Sequence, residues 1–399
     1  MIDPQTLLPI IVRYLGFVSL TMLVGGFGFV CLILPPGLLS REGYQILDRH
    51  LSRVQTVSIL IVALTSAADL ILRTLAMSGG GVATLGVAIP MVLQHTHFGT
   101  VWMIRISLLG LLAAAWWLRL QGASAPSRFA WIAAIPRVGL SGMTWWLRLL
   151  GTTAGPRFAW MSFFGACFVA LTTTLSGHSA DWGDVAVPVL VDWVHLIAIS
   201  IWIGGLFTFG FVLKRSLATP GMEEMVRLLS SIARLFSRIA VGCVAVFLAT
   251  GLYSSWLQVG SLSSLVAGPY GWTLLVKLTV VALILMIATV NRVYFLTRLR
   301  PSTITHSRPV LTTVRRISGS PRTANETGDD RRIRYRFSRF VRLEWIMVMI
   351  TLACSALLTQ QMPARHVRHL EHLQLHQQHD DSHSSAHEPS PTMPPSTQR

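Results

Sequence analysis

The chain has 399 residues, 52% of them apolar and only 13% charged, about half the charged share of a soluble globular domain. So little charge cannot cover a soluble protein of this length, and apolar runs of about 20 residues are long enough to cross a bilayer. A soluble enzyme is excluded. The net charge of +16 would raise nucleic acid as a partner in a soluble chain. Here the basic residues gather between apolar runs, where an anionic leaflet attracts them, and no nucleic-acid partner is expected.

Eight membrane spans are expected, at roughly 10–34, 54–76, 98–118, 158–176, 190–213, 239–258, 272–296 and 343–361. The first contains Gly25-Gly26, a small-residue pair that suits close helix packing in lipid. Connection 35–53 carries Arg41, Arg49 and Arg53. The second span holds Asp69 and Arg73, four apart and able to pair. Connection 77–97 has no Lys or Arg, but carries Met77, Met91, His95 and His97.

Arg105 lies two turns into the third span, and either pairing or hydration must offset its cost there. Asp69 is its alternative partner. Structural ion pairing is the plainer expectation for these charges, and a polar path or charge gate is the functional one. Segment 119–157 repeats itself: Trp116-Trp117-Leu118-Arg119-Leu120 returns as Trp145-Trp146-Leu147-Arg148-Leu149. Tryptophan beside arginine suits an interfacial insertion.

His178 follows the fourth span, with Asp181 and Asp184 close by. His195 lies about a turn inside the fifth, after Asp192-Trp193, and Gly204-Gly205 follows deeper in the same span. Connection 214–238 is basic, 259–271 has no Lys or Arg, and Lys277 lies inside the seventh span. Segment 301–334 is rich in Ser, Thr, Pro and Arg and reads as a disordered loop. The tail carries His366, His369, His372, His376, His379, His383 and His387, spaced by three or four, which a helix would place on one stripe. Such a stripe suits copper, nickel or zinc alike.

The alternation of basic and base-free connections predicts that 119–157 and 301–334 face the cytoplasm and that both termini lie outside it. Tyr14–Leu34 lines up with Trp193–Leu213, Ser52-Arg53 with Ser237-Arg238, and Phe98-Gly99 with Tyr270-Gly271, which sets Arg105 over Lys277. The expected fold is therefore an all-α integral membrane protein of eight transmembrane helices, built as two parallel four-helix repeats. His95, His97, His178 and His195 converge on the outer face, and imidazole with nearby thioether suits copper.

The run Leu175-Ser176-Gly177-His178, Asp192-Trp193-Val194-His195-Leu196 and Trp202-Ile203-Gly204-Gly205 resembles the CopD family of copper resistance and copper transport membrane proteins. So do Phe236-Ser237-Arg238, Gly251-Leu252-Tyr253, Pro269-Tyr270-Gly271, Leu275-Val276-Lys277-Leu278, Asn291-Arg292 and Arg342-Leu343-Glu344. The resemblance covers roughly 158–360 and is looser in the first half, where Gly25-Gly26 and Phe98-Gly99 carry it. It implies copper as a transported ion in a bacterial inner membrane, working with a periplasmic CopC-like copper-binding partner. The chain departs from the family by its His-rich tail and its 119–157 insertion.

The expected division is 1–118 as the first repeat, 119–157 as the insertion, 158–362 as span four with the CopD-like spans, and 363–399 as the periplasmic tail. His178 and His195 are the candidate copper ligands or relays, His95 and His97 the outer capture residues, and the tail a tether that concentrates metal. Import is favoured, because capture ligands crowd the outside. No GxxxxGK stretch or aspartyl-phosphate motif suggests ATP hydrolysis, and no enzymatic activity is expected. The alternatives are a b-type haem electron-transfer protein, whose paired histidines would be axial ligands, and a metal-sensing scaffold without flux.

Overall fold

The computed structural model describes residues 4–34, 41–79, 81–122, 156–177, 180, 183–218, 223–261, 263–298 and 324–361. Among them every regular element is helical. The longer ones are α1 (Pro4–Gly28, continued by a π turn at Phe29–Ile33), α2 (Arg41–Ser78), α3 (Leu85–His95), α4 (His97–Gly122), α5 (Pro156–Thr174), α6 (Val187–Ala218), α7 (Glu223–Val259), α8 (Pro269–Arg298) and α9 (Ala324–Leu358). Helices are what a chain this apolar must form in lipid, where a backbone amide has no water to bond.

Among the described residues, six apolar segments are long enough to cross a membrane: Leu7–Ile33, Leu47–Ser78, His97–Gln121, Val187–Phe211, Ile232–Val259 and Pro269–Val290. They coincide with six of the eight expected spans. The apolar part of α5, Phe158–Thr174, is shorter. The eighth expected span falls in the C-terminal part of α9. The protein is a multi-pass, all-helical membrane protein.

The structure differs from the sequence expectation at three places. The 77–97 connection contains a short 3-10 turn, Val82–Thr84, and the apolar helix α3. Eleven residues rise about 16 Å, too little to cross a bilayer, so α3 packs on α2 and α4 instead. α9 begins at Ala324, so residues 324–334 are helical where a disordered loop was expected. Finally, α2 and α7 run well past their apolar parts into polar turns, because backbone hydrogen bonding continues a helix where hydropathy stops marking it.

α1 and α6 form the central pair. α1 packs on α2, α5, α6 and α9, and α6 packs on α1, α5, α7 and α9. Two apolar cores flank the pair. One joins Leu23, Val24 and Phe27 of α1 to α2, α4 and α5 through Ile59, Leu112 and Ala170. The other joins Phe29 and Ile33 to α6, α7, α8 and α9 through Ile203, Phe236, Ile284 and Val348. Leu64, Leu111, Leu252 and Trp256 stay exposed, as lipid-facing side chains do.

The helices of the central pair meet at glycine. A Cβ on Gly25 would sit 2.1 Å from the Ser200 carbonyl oxygen and 2.7 Å from Gly204 Cα. A Cβ on Gly204 would meet Gly25 Cα at 2.5 Å. The neighbours Gly26 and Gly205 give room to the Gln55 side chain and the Phe236 ring. At this crossing only hydrogen fits between the backbones.

Candidate functional site

Two polar clusters sit in otherwise apolar surroundings. The first is built on α1, α2, α4 and α5. Asp69 pairs with Arg13 of α1 at 3.3 Å and with Arg73, one turn along α2, at 3.4 Å. Arg105 of α4 is 6% exposed. It donates to Thr172 Oγ1 at 3.0 Å, the Thr172 carbonyl at 2.8 Å and Ser176 Oγ at 2.9 Å. Arg73 also donates to the Ser176 carbonyl and lies over the Phe98 ring, 4.5 Å from its centroid. So Asp69 does pair with Arg73, as its spacing suggests. Its other direct partner is Arg13, while Arg105 spends its donors on α5. The sequence reading did not single out Arg13, although a lone arginine early in an apolar span was the available signal.

The second cluster is built on α6, α7 and α8. Ser254 Oγ donates to Asp192 Oδ1 at 2.6 Å. Lys277 of α8 lies within electrostatic range of Asp192, His195 and Cys354. Tyr270 donates its hydroxyl to Gln258. Asp192, Thr250 and Ser254 were missed as site residues. Asp192 was visible as an acid three positions before His195.

His195 is partly buried, with its Nδ1 3.0 Å from Thr250 Oγ1 and its ring edge-on to Phe247. A threonine hydroxyl has one proton. Thr250 donates that proton to the Val246 carbonyl one turn back, at 2.7 Å. In that arrangement its oxygen accepts from His195, and the imidazole carries its proton on Nδ1. Nε2 keeps a free lone pair, the form in which a neutral histidine binds a metal.

The other expected ligands are dispersed. His95 ends α3 and is exposed. His97 begins α4 and pairs with Asp184 at 2.9 Å, both more than half exposed. Among the described residues, no three His, Cys, Asp or Glu side chains gather into a metal-holding group. His178, the seven tail histidines and residues 123–155 of the insertion lie outside the described residues. His50 stacks against Phe211, with ring centroids 3.4 Å apart.

Comparison with known proteins gives this arrangement its context. The family model described as Copper resistance protein D-like, N-terminal domain, matches residues 1–146. The one described as Copper resistance protein D matches residues 230–358. The first half thus matches a family model too, although its resemblance by eye is loose; His195 lies between the two matches. Copper transport protein CutJ of Bacillus subtilis (strain 168) is 28% identical over 257 residues, 63% of this chain and 41% of that protein. The chain thus spans less than half the length of that curated relative. No solved structure matches. Two matches that together cover more than half of the chain, on a helical membrane fold with polar clusters among its spans, place the chain in the CopD family of copper resistance and copper transport proteins.

Proposed function

We propose that the protein carries copper across the bacterial inner membrane, inward from periplasmic ligands, with His195 as a ligand on the path. The observation that carries this reading is the contact of His195 Nδ1 with Thr250 Oγ1 at 3.0 Å: when Nδ1–H donates to that oxygen, Nε2 is left free to bind. A neutral imidazole accepts a soft cation without bringing its own charge into lipid. Asp192 and Lys277, close enough to act on each other electrostatically, would tune the field that the ion meets. His178 would share the ion, His95 and His97 would capture it at the mouth, and the tail histidines would raise its local concentration. Both termini would then be periplasmic, and a CopC-like protein would deliver the metal.

The reading extends to the architecture, as two four-helix units related by a duplication. Carried along each helix, the sequence correspondence sets Gly16 over His195, Thr65 over Thr250, Arg13 over Asp192, Asp69 over Ser254, Arg73 over Gln258 and Phe98 over Tyr270. Corresponding residues touch in both halves. Arg13 meets Asp69 as Asp192 meets Ser254. Gly16 lies beside Thr65 as His195 lies beside Thr250. Arg73 covers Phe98 as Gln258 bonds Tyr270. The matched contacts support a duplication over chance similarity between apolar helices.

Uptake by proteoliposomes holding the full chain, offered Cu(I), Cu(II), Ni(II) and Zn(II), tests the proposal. Copper uptake is expected to fall at least about tenfold in His195→Ala and His178→Ala, at near-normal insertion. Full flux in both variants would remove the proposed site, and no copper uptake by the unaltered protein would remove the function.

A further inference from the structure

The first half holds a cavity apart from His195. A cavity opens between α1, α2 and α4, lined by Arg13, Gly16, Thr65, Ser66, Asp69 and Arg105 among apolar neighbours. It lies where His195 stands in the second half, since Gly16 occupies the corresponding position and leaves its volume empty. Arg13 and Arg73 pair with the carboxylate of Asp69 and Arg105 lies within electrostatic range of it, so the cluster carries a formal excess of two positive charges. Arg13 Nε is buried and has no hydrogen-bond partner, although its side chain is only 13% exposed.

Both features are costly in a low-dielectric interior. An uncompensated buried charge and an unbonded buried donor each cost free energy that a bound partner of opposite sign would offset. The lining holds two guanidiniums, Arg13 and Arg105, against one carboxylate, Asp69, so its net charge favours an anion over a metal cation. We propose that this cavity binds a small singly charged anion between Arg13 and Arg105. Two sources share that chemistry: a free halide, and the phosphate of an anionic lipid whose headgroup reaches in. The inference stands apart from the copper reading.

The test uses the full chain in nanodiscs of neutral phosphatidylcholine, with chloride replacing gluconate at constant ionic strength. Line broadening of the chlorine-35 resonance reads binding. Saturable broadening is expected, weakened at least about fivefold in Arg13→Gln, which removes a charge-assisted donor. Gly16→Ala is the second variant. Its Cβ would lie 3.4 Å from Thr65 Oγ1, an ordinary contact, and alanine favours the helix, so it folds while its methyl takes room from the anion. It too is expected to weaken broadening at least fivefold. Repeating the titration in phosphatidylglycerol nanodiscs separates the sources. Suppressed broadening there assigns the site to a headgroup phosphate, and unchanged broadening assigns it to free halide; either supports an anion site. No saturation in neutral lipid, or full broadening in Gly16→Ala, overturns it.

Discussion

On the proposed duplication the two halves differ in charge at matched positions: Arg13 stands where the second half has Asp192 and Asp69 where it has Ser254, while Arg105 and Lys277 keep the same sign. Where the second half has Asp192, Ser254 and Lys277 with a histidine beside Thr250, the first has Arg13, Asp69 and Arg105 with a glycine beside Thr65. The second cluster balances one acid against one lysine and presents an imidazole. The first is cationic and presents a cavity. On the proposals above, one scaffold would serve a cation in one half and an anion in the other, with a few side chains setting the field. The glycine crossing between α1 and α6 belongs to both halves.

Breaking that crossing is expected to have the largest effect. Gly25→Ala puts a methyl 2.1 Å from a backbone oxygen that has nowhere to move, so α1 and α6 must separate. A loss of about 3 kcal/mol or more is expected, seen as loss of monodisperse protein after extraction. Gly110→Ala meets nothing within 4 Å and is the neutral control. Next comes Arg105→Met, which removes three charge-assisted hydrogen bonds, two to Thr172 of α5 and one to Ser176 just beyond it. Unfolding in mixed micelles should show a cost of about 3 kcal/mol. Lys277→Met should cost less, and equal costs would mean that the clusters are held alike.

The halves separate more finely at the two threonines. Thr250→Val keeps the shape but removes the acceptor that fixes the His195 tautomer. Copper affinity, read by competition with a chromophoric chelator, should fall about tenfold with little change in stability, and Thr250→Ser should restore it. Unchanged affinity in Thr250→Val would show that the hydroxyl plays no part in presenting Nε2.

Much of the membrane architecture was legible, because a 20-residue apolar run between basic connections leaves few alternatives to a spanning helix. The helix ends were not legible, since hydropathy marks only the part in lipid; α2 and α7 continue into polar turns without an apolar signal. α3 hid in a connection because it is too short to span. His195 stood out as an imidazole within a span, but the partner that orients it lies 55 residues away, and Thr250 carries no mark in the sequence. Arg13 escaped notice because no acid lies near it within the first span. Its meaning appears only when α2 brings Asp69 against it.

The finest comparison lies at the rim of each cluster, where Arg73 covers Phe98 in one half and Gln258 accepts from Tyr270 in the other. Arg73→Gln alone removes a cation–π contact, the pairing with Asp69 and a bond to the Ser176 carbonyl, and should cost about 1–2 kcal/mol. Phe98→Tyr alone places a hydroxyl beside a guanidinium that cannot accept from it, and should cost about 0.5–1 kcal/mol. Together the two changes write the second half's pair into the first. If the positions correspond, the new tyrosine donates to the new glutamine and recovers about 0.5–1 kcal/mol relative to the sum of the single changes. Unfolding of the four proteins in mixed micelles measures that coupling. A favourable value means that the two rims share one backbone geometry and differ only in the side chains hung on it. Simple additivity would show that the frames diverge here, and the matched contacts would lose their outermost member.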